Sequence, residues 1–186
     1  MIAPHAAPCS YLSAAVSYSC GSAPNGIAVG DFDRDGILDL AIANATGTNT
    51  FSVLRGKGNA GVGDGTFLAP IGYASAGAVP RAIADLDADG ILDVAVANSA
   101  SNEVRLLHGE GSGGVASGLL TAWRTIAVGA SPVRVLLVDI SGDGILDLVA
   151  ANNTGGSVTL ARGRGTAPRG DGTFNAATTL NPGGNP

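Results

Sequence analysis

Asp31-Phe-Asp-Arg-Asp-Gly-Ile-Leu-Asp39 is followed by Asp85-Leu-Asp-Ala-Asp-Gly-Ile-Leu-Asp93 and then by Asp139-Ile-Ser-Gly-Asp-Gly-Ile-Leu-Asp147. The three copies begin at residues 31, 85 and 139, so each starts 54 residues after the last. A fixed period of this length marks a repeat architecture, in which each unit buries an apolar face against its neighbour. The decisive stretch is therefore at once a loop with its own chemistry and the punctuation of the fold.

The spacing D-x-D-x-D-G-x-x-D places oxygen donors at alternate positions of a tight turn. Loops of this kind surround calcium with side chains at positions 1, 3 and 5 and a carbonyl at 7, and the glycine at 6 permits the bend. The expected donors are Asp31, Asp33, Asp35, the carbonyl of Ile37 and Asp39 in the first loop. In the second they are Asp85, Asp87, Asp89, the Ile91 carbonyl and Asp93, and in the third Asp139, Ser141, Asp143, the Ile145 carbonyl and Asp147. Ser141 is neutral, so the third of the three Ca2+ sites is expected to bind most weakly. Oxygen donors without His or Cys point away from zinc and copper. Asp-Gly pairs also occur in plain hairpin turns, the reading given to Asp64-Gly65 and Asp171-Gly172, but a turn requires no carboxylates at positions 1, 3 and 9.

Charge points the same way. The chain holds 15 acidic and 10 basic residues for a net charge of −5, and the three loops carry most of the acids. Such clustering is costly without a cation, and the acidic pI of 4.7 reflects the loops rather than an acidic surface.

Outside the loops the pattern is that of strands. Each loop runs into an aliphatic segment stopped by asparagine: Leu-Asp-Leu-Ala-Ile-Ala-Asn44, Leu-Asp-Val-Ala-Val-Ala-Asn98 and Leu-Asp-Leu-Val-Ala-Ala-Asn152. A second strand then ends at Gly56, Gly109 or Gly163, and a glycine-rich connection leads to a third, clearest in Gly63-Asp-Gly-Thr-Phe67 and Gly170-Asp-Gly-Thr-Phe174. A proline-led strand from Pro24, Pro80 or Pro132 reaches the next loop; Pro80 lies closer to its loop, which predicts that the strand or its lead-in is shortened there. In the second repeat Trp123 is the candidate for the place of the missing phenylalanine, and is read as core packing rather than a ligand platform. Four short antiparallel strands per repeat make a propeller blade. The expected fold is all-β: β-propeller-type blades in three four-stranded antiparallel repeats of about 54 residues. The boundaries are an N-terminal segment 1–23 and blades over 24–77, 78–129 and 130–186.

Composition agrees. Apolar residues make up 45% of the chain but aromatics only 4%, a core of small side chains suited to closely packed sheets. Twenty-nine glycines and nine prolines exclude long helices. No apolar run reaches the roughly 18 residues needed to cross a bilayer, so no membrane insertion is expected. Cys9 and Cys20 precede the first repeat and could close a small disulfide in an oxidising compartment. Met1-Ile-Ala-Pro-His lacks the charged start and apolar stretch of a secretion leader, so the leader of a secreted form would lie outside these residues.

The aspartate loops, the Leu-Asp-Leu-Ala-x-Ala-Asn strands and the Gly-Asp-Gly-Thr-Phe segments together resemble FG-GAP or VCBS repeats, the blades of integrin alpha-subunit propellers. The resemblance spans about Pro24 to Leu180. It implies calcium-stabilised blades with the loop between first and second strands, and an extracellular or cell-surface module serving as a structural, adhesion or self-assembly scaffold. The alternatives are a lectin-like propeller, which the scarcity of aromatic residues disfavours, and a non-catalytic part of a polysaccharide-degrading enzyme.

Closed propellers need at least four blades, and three loops supply three. A segment from Tyr11 to Tyr18 reads as one outer strand too many. Either the chain is part of a longer propeller or it self-associates through terminal strands. Enzymatic activity is not expected: the two histidines are His5 and His108, and His108 falls at the repeat position of Arg55 and Arg162, read as an exposed basic series. Those residues with Lys57 and Arg164 would line one face as solvated rim charges, or meet a protein or glycan ligand. Ten basic residues without interleaved aromatics do not make a nucleic-acid footprint. Asn44-Ala-Thr46 and Asn152-Asn-Thr154 match the glycosylation sequon.

Overall fold

The computed structural model describes residues 15–46, 51–74, 78–112 and 115–181. All of the regular structure among them is β. Three four-stranded antiparallel sheets follow one another along the chain, consistent with propeller-type blades.

In the first blade β1 (Ser22–Gly30), β2 (Asp39–Thr46) and β3 (Phe51–Leu54) pair in sequence order. The chain then leaves the sheet as a two-stranded hairpin, β4 (Gly56–Asn59) and β5 (Val62–Phe67), and returns as the short outer strand β6 (Ile71–Tyr73). The second blade comprises β7 (Ala78–Ala84), β8 (Asp93–Asn98), β9 (Glu103–Ser112) and β10 (Val115–Ala127). Here hairpin and outer strand are fused, because β9 and β10 run on without interruption into both. The third blade repeats the first: β11 (Pro132–Val138), β12 (Asp147–Asn152), β13 (Ser157–Ala161), the hairpin β14 (Gly163–Thr166) and β15 (Arg169–Phe174), and the outer strand β16 (Thr178–Leu180).

This division corrects several expectations. The Gly-Asp-Gly-Thr-Phe segments lie in the second arm of the hairpins, and only three residues beyond them join each blade as its outer strand. The hairpin tips are at Ala60-Gly61 and Ala167-Pro168, not at Asp64-Gly65 and Asp171-Gly172. Asp64 and Asp171 instead accept from the backbone N–H and hydroxyl of Thr66 and Thr173, a local bend within one strand. β7 has seven residues, as many as β11 and two fewer than β1. A bulge follows the proline in each inner strand, and Pro80 pairs with Val96, deeper in its sheet than Pro24 and Pro132, which pair with Asn44 and Asn152. Each inner strand pairs on one side only, where a proline costs no ladder bond.

Leu120, not Trp123, stands where the phenylalanines stand, for it pairs with Gly109 as Phe67 pairs with Gly56 and Phe174 with Gly163. Trp123 packs against the core between the second and third blades, and a Cβ at Gly172 would meet its indole. Both sequon asparagines are buried: Asn44 donates to the carbonyl of Cys20, and Asn152 to the hydroxyls of Ser157 and Thr159. A glycan at either would require the strand end to open. Of the surplus strand, residues 11–14 lie outside the described residues, and 15–18 pair in no described sheet. The proposed Cys9–Cys20 bridge likewise involves Cys9, outside the described residues.

Two apolar clusters hold the blades together, and each lies between sheets. Phe32, Ala41, Phe51 and Val53 of the first blade meet Val94, Val96 and Leu107 of the second. Leu86, Ala95, Ala97 and Leu106 of the second meet Val135, Leu148, Ala150 and Ala161 of the third. The middle sheet is apolar on both faces, which explains the unbroken run Val94-Ala-Val-Ala97 where a one-sided sheet would alternate. Phe51 is fully buried at the first junction, so Phe51→Ala should cost about 3–5 kcal/mol. Val62→Ala, at an exposed hairpin position, should leave the denaturation midpoint unchanged, and equal midpoints for the two variants would contradict this placement of the core.

Candidate metal centre

Each aspartate loop links the inner strand of its blade to the second, and the pairs Gly30–Asp39, Ala84–Asp93 and Val138–Asp147 close its base. Within the loop the position-1 carboxylate folds the turn onto itself. Asp31 accepts from the backbone N–H groups of Asp35 and Gly36, at 3.2 and 2.9 Å. Asp85 does so for Asp89 and Gly90, and Asp139 for Asp143 and Gly144. The position-5 carboxylate accepts from the amide two residues on, Ile37, Ile91 or Ile145. The glycines at position 6 have φ of 86°, 85° and 84°, the left-handed region that glycine enters without penalty. Position 4 is left-handed too, at Arg34, Ala88 and Gly142.

The last aspartate of each loop is different in kind. Asp39, Asp93 and Asp147 are buried, and both oxygens of each take a backbone N–H. Asp39 accepts from Phe32 at 2.8 Å and from Gly56 at 2.7 Å. Asp93 accepts from Leu86 and Gly109, and Asp147 from Ile140 and Gly163. One carboxylate thus ties the start of the loop to the point where the third strand passes into the hairpin. The glycine there leaves no room for a side chain: a Cβ on Gly109 would come within 2.5 Å of the Leu92 carbonyl. The sequence shows this tie only as a glycine recurring at the end of each third strand.

Asp31, Asp33 and Asp39 present oxygens within 4.8 Å of one another, as do Asp85, Asp87 and Asp93. Asp35 and Asp89 stand outside these triads, although Asp89 lies with Asp87 beside His108. The third loop, with Ser141 at position 3, forms no comparable carboxylate triad among the described residues. The side chains of Ile37, Ile91 and Ile145 are buried, which pins the backbone at position 7. The series Arg55, His108, Arg162 is not simply an exposed rim. Arg55 approaches Asp33 at 3.7 Å, and His108 Nε2 lies 3.0 Å from Asp87 while its ring packs on Trp123. The residue at the corresponding place in the third loop is Ser141, which carries no charge to pair with Arg162.

Three of the carboxylates show the cost of burial. Burial pushes Asp93 up to about 6, and the Asp87 charge adds to it, against the opposing pull of the Gly109 and Leu86 amides and of His108. Burial also raises Asp39 and Asp33, with neighbouring carboxylates of the same loop adding to each. Asp139 is lowered, chiefly by the Gly144 amide. Two triads of carboxylate oxygens, in which Asp33, Asp39 and Asp93 resist ionisation, fit a hard divalent cation, which would neutralise them.

The FG-GAP-like repeat family matches the chain twice, over residues 31–96 and 85–150. The chain belongs to the FG-GAP-like repeat family. Each match runs from one aspartate loop through the next, so the loops and strands described above are the family's own unit. The protein is a β-propeller-type repeat module. No curated protein gives a significant match.

A pH dependence follows for the metal-free protein. Asp93 binds its proton more tightly folded than unfolded, so its contribution to stability is complete below the unfolded value of 3.8 and is lost as pH rises through about 6. Asp139, Asp64 and Asp171 are lowered and act in the opposite sense, but only at more acid pH. Stripped of metal, the protein should be more stable at pH 5 than at pH 7, by on the order of 1 kcal/mol from Asp93 alone. A midpoint that rises from pH 5 to pH 7 would contradict the burial assigned to Asp93.

Proposed function

We propose that this protein is an extracellular calcium-binding propeller module, non-enzymatic, serving as a structural or adhesion scaffold. The observation that carries the reading is the pair of carboxylate triads, Asp31, Asp33 and Asp39 and Asp85, Asp87 and Asp93, each drawn together within 4.8 Å. Side chains so placed repel one another when ionised, and a divalent cation removes the repulsion. The donor set is the one calcium uses, and extracellular modules bind calcium at the millimolar level found outside cells.

In this reading the ion is structural. Asp31 and Asp85 shape the turn through backbone amides, while Asp33 and Asp87 add charge from the side of the third strand. Asp39 and Asp93 link the loop to Gly56 and Gly109, so a cation held there braces three strands of its blade. The third loop, with Asp139, Ser141, Asp143, the Ile145 carbonyl and Asp147, takes part with one charge fewer and binds more weakly. Calcium binding energy then becomes folding energy, about 4 kcal/mol per site at a thousandfold excess over Kd.

Chelation should therefore lower the melting temperature sharply, and returning calcium should restore it. Asp31→Asn with Asp85→Asn should remove most of the calcium-dependent shift while leaving the β-sheet circular dichroism intact. A melting curve indifferent to chelator, at neutral pH and low salt, would overturn the structural role of calcium.

A further inference from the structure

The two internal junctions are the same contact made twice. One face of the second blade, through Ile83 and Leu92, packs on the first blade, and the corresponding face of the third, through Leu137 and Leu146, packs on the second. The opposite faces, through Ala28 and Phe32 in the first blade and Ala82, Ala84 and Leu86 in the second, complete those junctions. Counted from the loops, the residues matching Ile83 and Leu92 in the first blade are Val29 and Leu38, with Ile27 on the same face. The residues matching Ala82, Ala84 and Leu86 in the third blade are Leu136, Val138 and Ile140.

Those six are where the packing stops. Ile27, Val29 and Leu38 are 53% to 63% exposed, and Leu136, Val138 and Ile140 are 41% to 60% exposed. The stack thus ends in two different apolar faces, each half of a junction the chain already forms internally. We propose that a second copy of this chain covers them, the third blade of one copy docking on the first blade of the other in both directions.

The occupant follows from the repeat itself. A face shaped to receive the side that Phe32 and Leu86 present elsewhere is met by Ile140 at the same position of the third loop, and this chain carries both partners. The contact is heterologous, so a single join leaves one free face at each end. Two copies joined twice give six blades, within the four to eight of closed propellers, and each of the four faces described here is met. This pairing buries sheet faces, and it involves a strand edge only at the outer strand of the third blade. Tyr18 already stands against Phe67 and accepts from its amide, as Tyr73 accepts from the Leu120 amide one blade later. The incoming Leu180, which holds the register of Tyr73, cannot take the same place, and the exposed three-residue β16 is the strand that gives way.

Light scattering on the eluting 186-residue chain, over a dilution series in calcium buffer, tests this. The expected mass is twice the 18.1 kDa of one chain. Ile27→Asp and Leu136→Asp should each reduce it to one chain without altering the β circular dichroism, since both side chains are exposed. Mixed in equal amounts, the two variants should recover the double mass, because one of the two joins then has both faces intact. A single-chain mass for the unaltered protein at every concentration would overturn the proposal. So would variants that keep the double mass, or a mixture that stays monomeric.

Discussion

The structure depends on a buried carboxylate that accepts two backbone amides from distant parts of its repeat. Asp39, Asp93 and Asp147 each hold the amide of the second residue of the loop and the amide of the glycine at which the third strand passes into the hairpin. Amides turned away from a ladder at a strand end must find an acceptor or remain costly. The aspartate supplies it and fixes the loop over the strand ends at the same time. The remaining loop carboxylates gather around this fixed point.

That arrangement sets two requirements against each other. The tie wants a charged acceptor, since amide bonds to a carboxylate are stronger than those to a neutral oxygen. Burial and neighbouring aspartates resist the charge, as the raised Asp39 and Asp93 show. A cation would reconcile the two, and the site chemistry and the blade's stability would then belong to one local structure. Between blades the logic is simpler. Alanines such as Ala41, Ala95 and Ala97 let neighbouring sheets approach closely, and Phe32 and Leu86 beside the loops fill the remaining space.

Much of this was legible in the residues themselves. The period of the aspartate loops marked the repeat, and the runs ending at Asn44, Asn98 and Asn152 marked the second strands, because burial on both faces leaves an unbroken apolar signature. The hairpins were not legible. Gly-Asp-Gly-Thr-Phe has the composition of a strand, and only tertiary packing decides that it leaves the blade sheet. The place of Leu120 is hidden because it carries no aromatic ring to mark it as the counterpart of Phe67 and Phe174, whereas Trp123, three residues on, does. The sequence pattern marks the loop aspartates as candidate cation donors but cannot tell the buried ninth position from the others, since burial depends on the third strand folding over it. Arg55 and His108 were read as rim charges for the same reason.

The central claim is that the aspartate loops are cation sites built on a fixed carboxylate. It is tested most directly by titrating calcium into the metal-free, isotope-labelled protein and following amide resonances residue by residue. The account predicts saturable shifts at Gly36 and Gly90, whose amides lie on Asp31 and Asp85, with Gly144 in the third loop following at higher calcium. Absence of shifts in these loops, or shifts spread evenly over the surface without saturation, would contradict it.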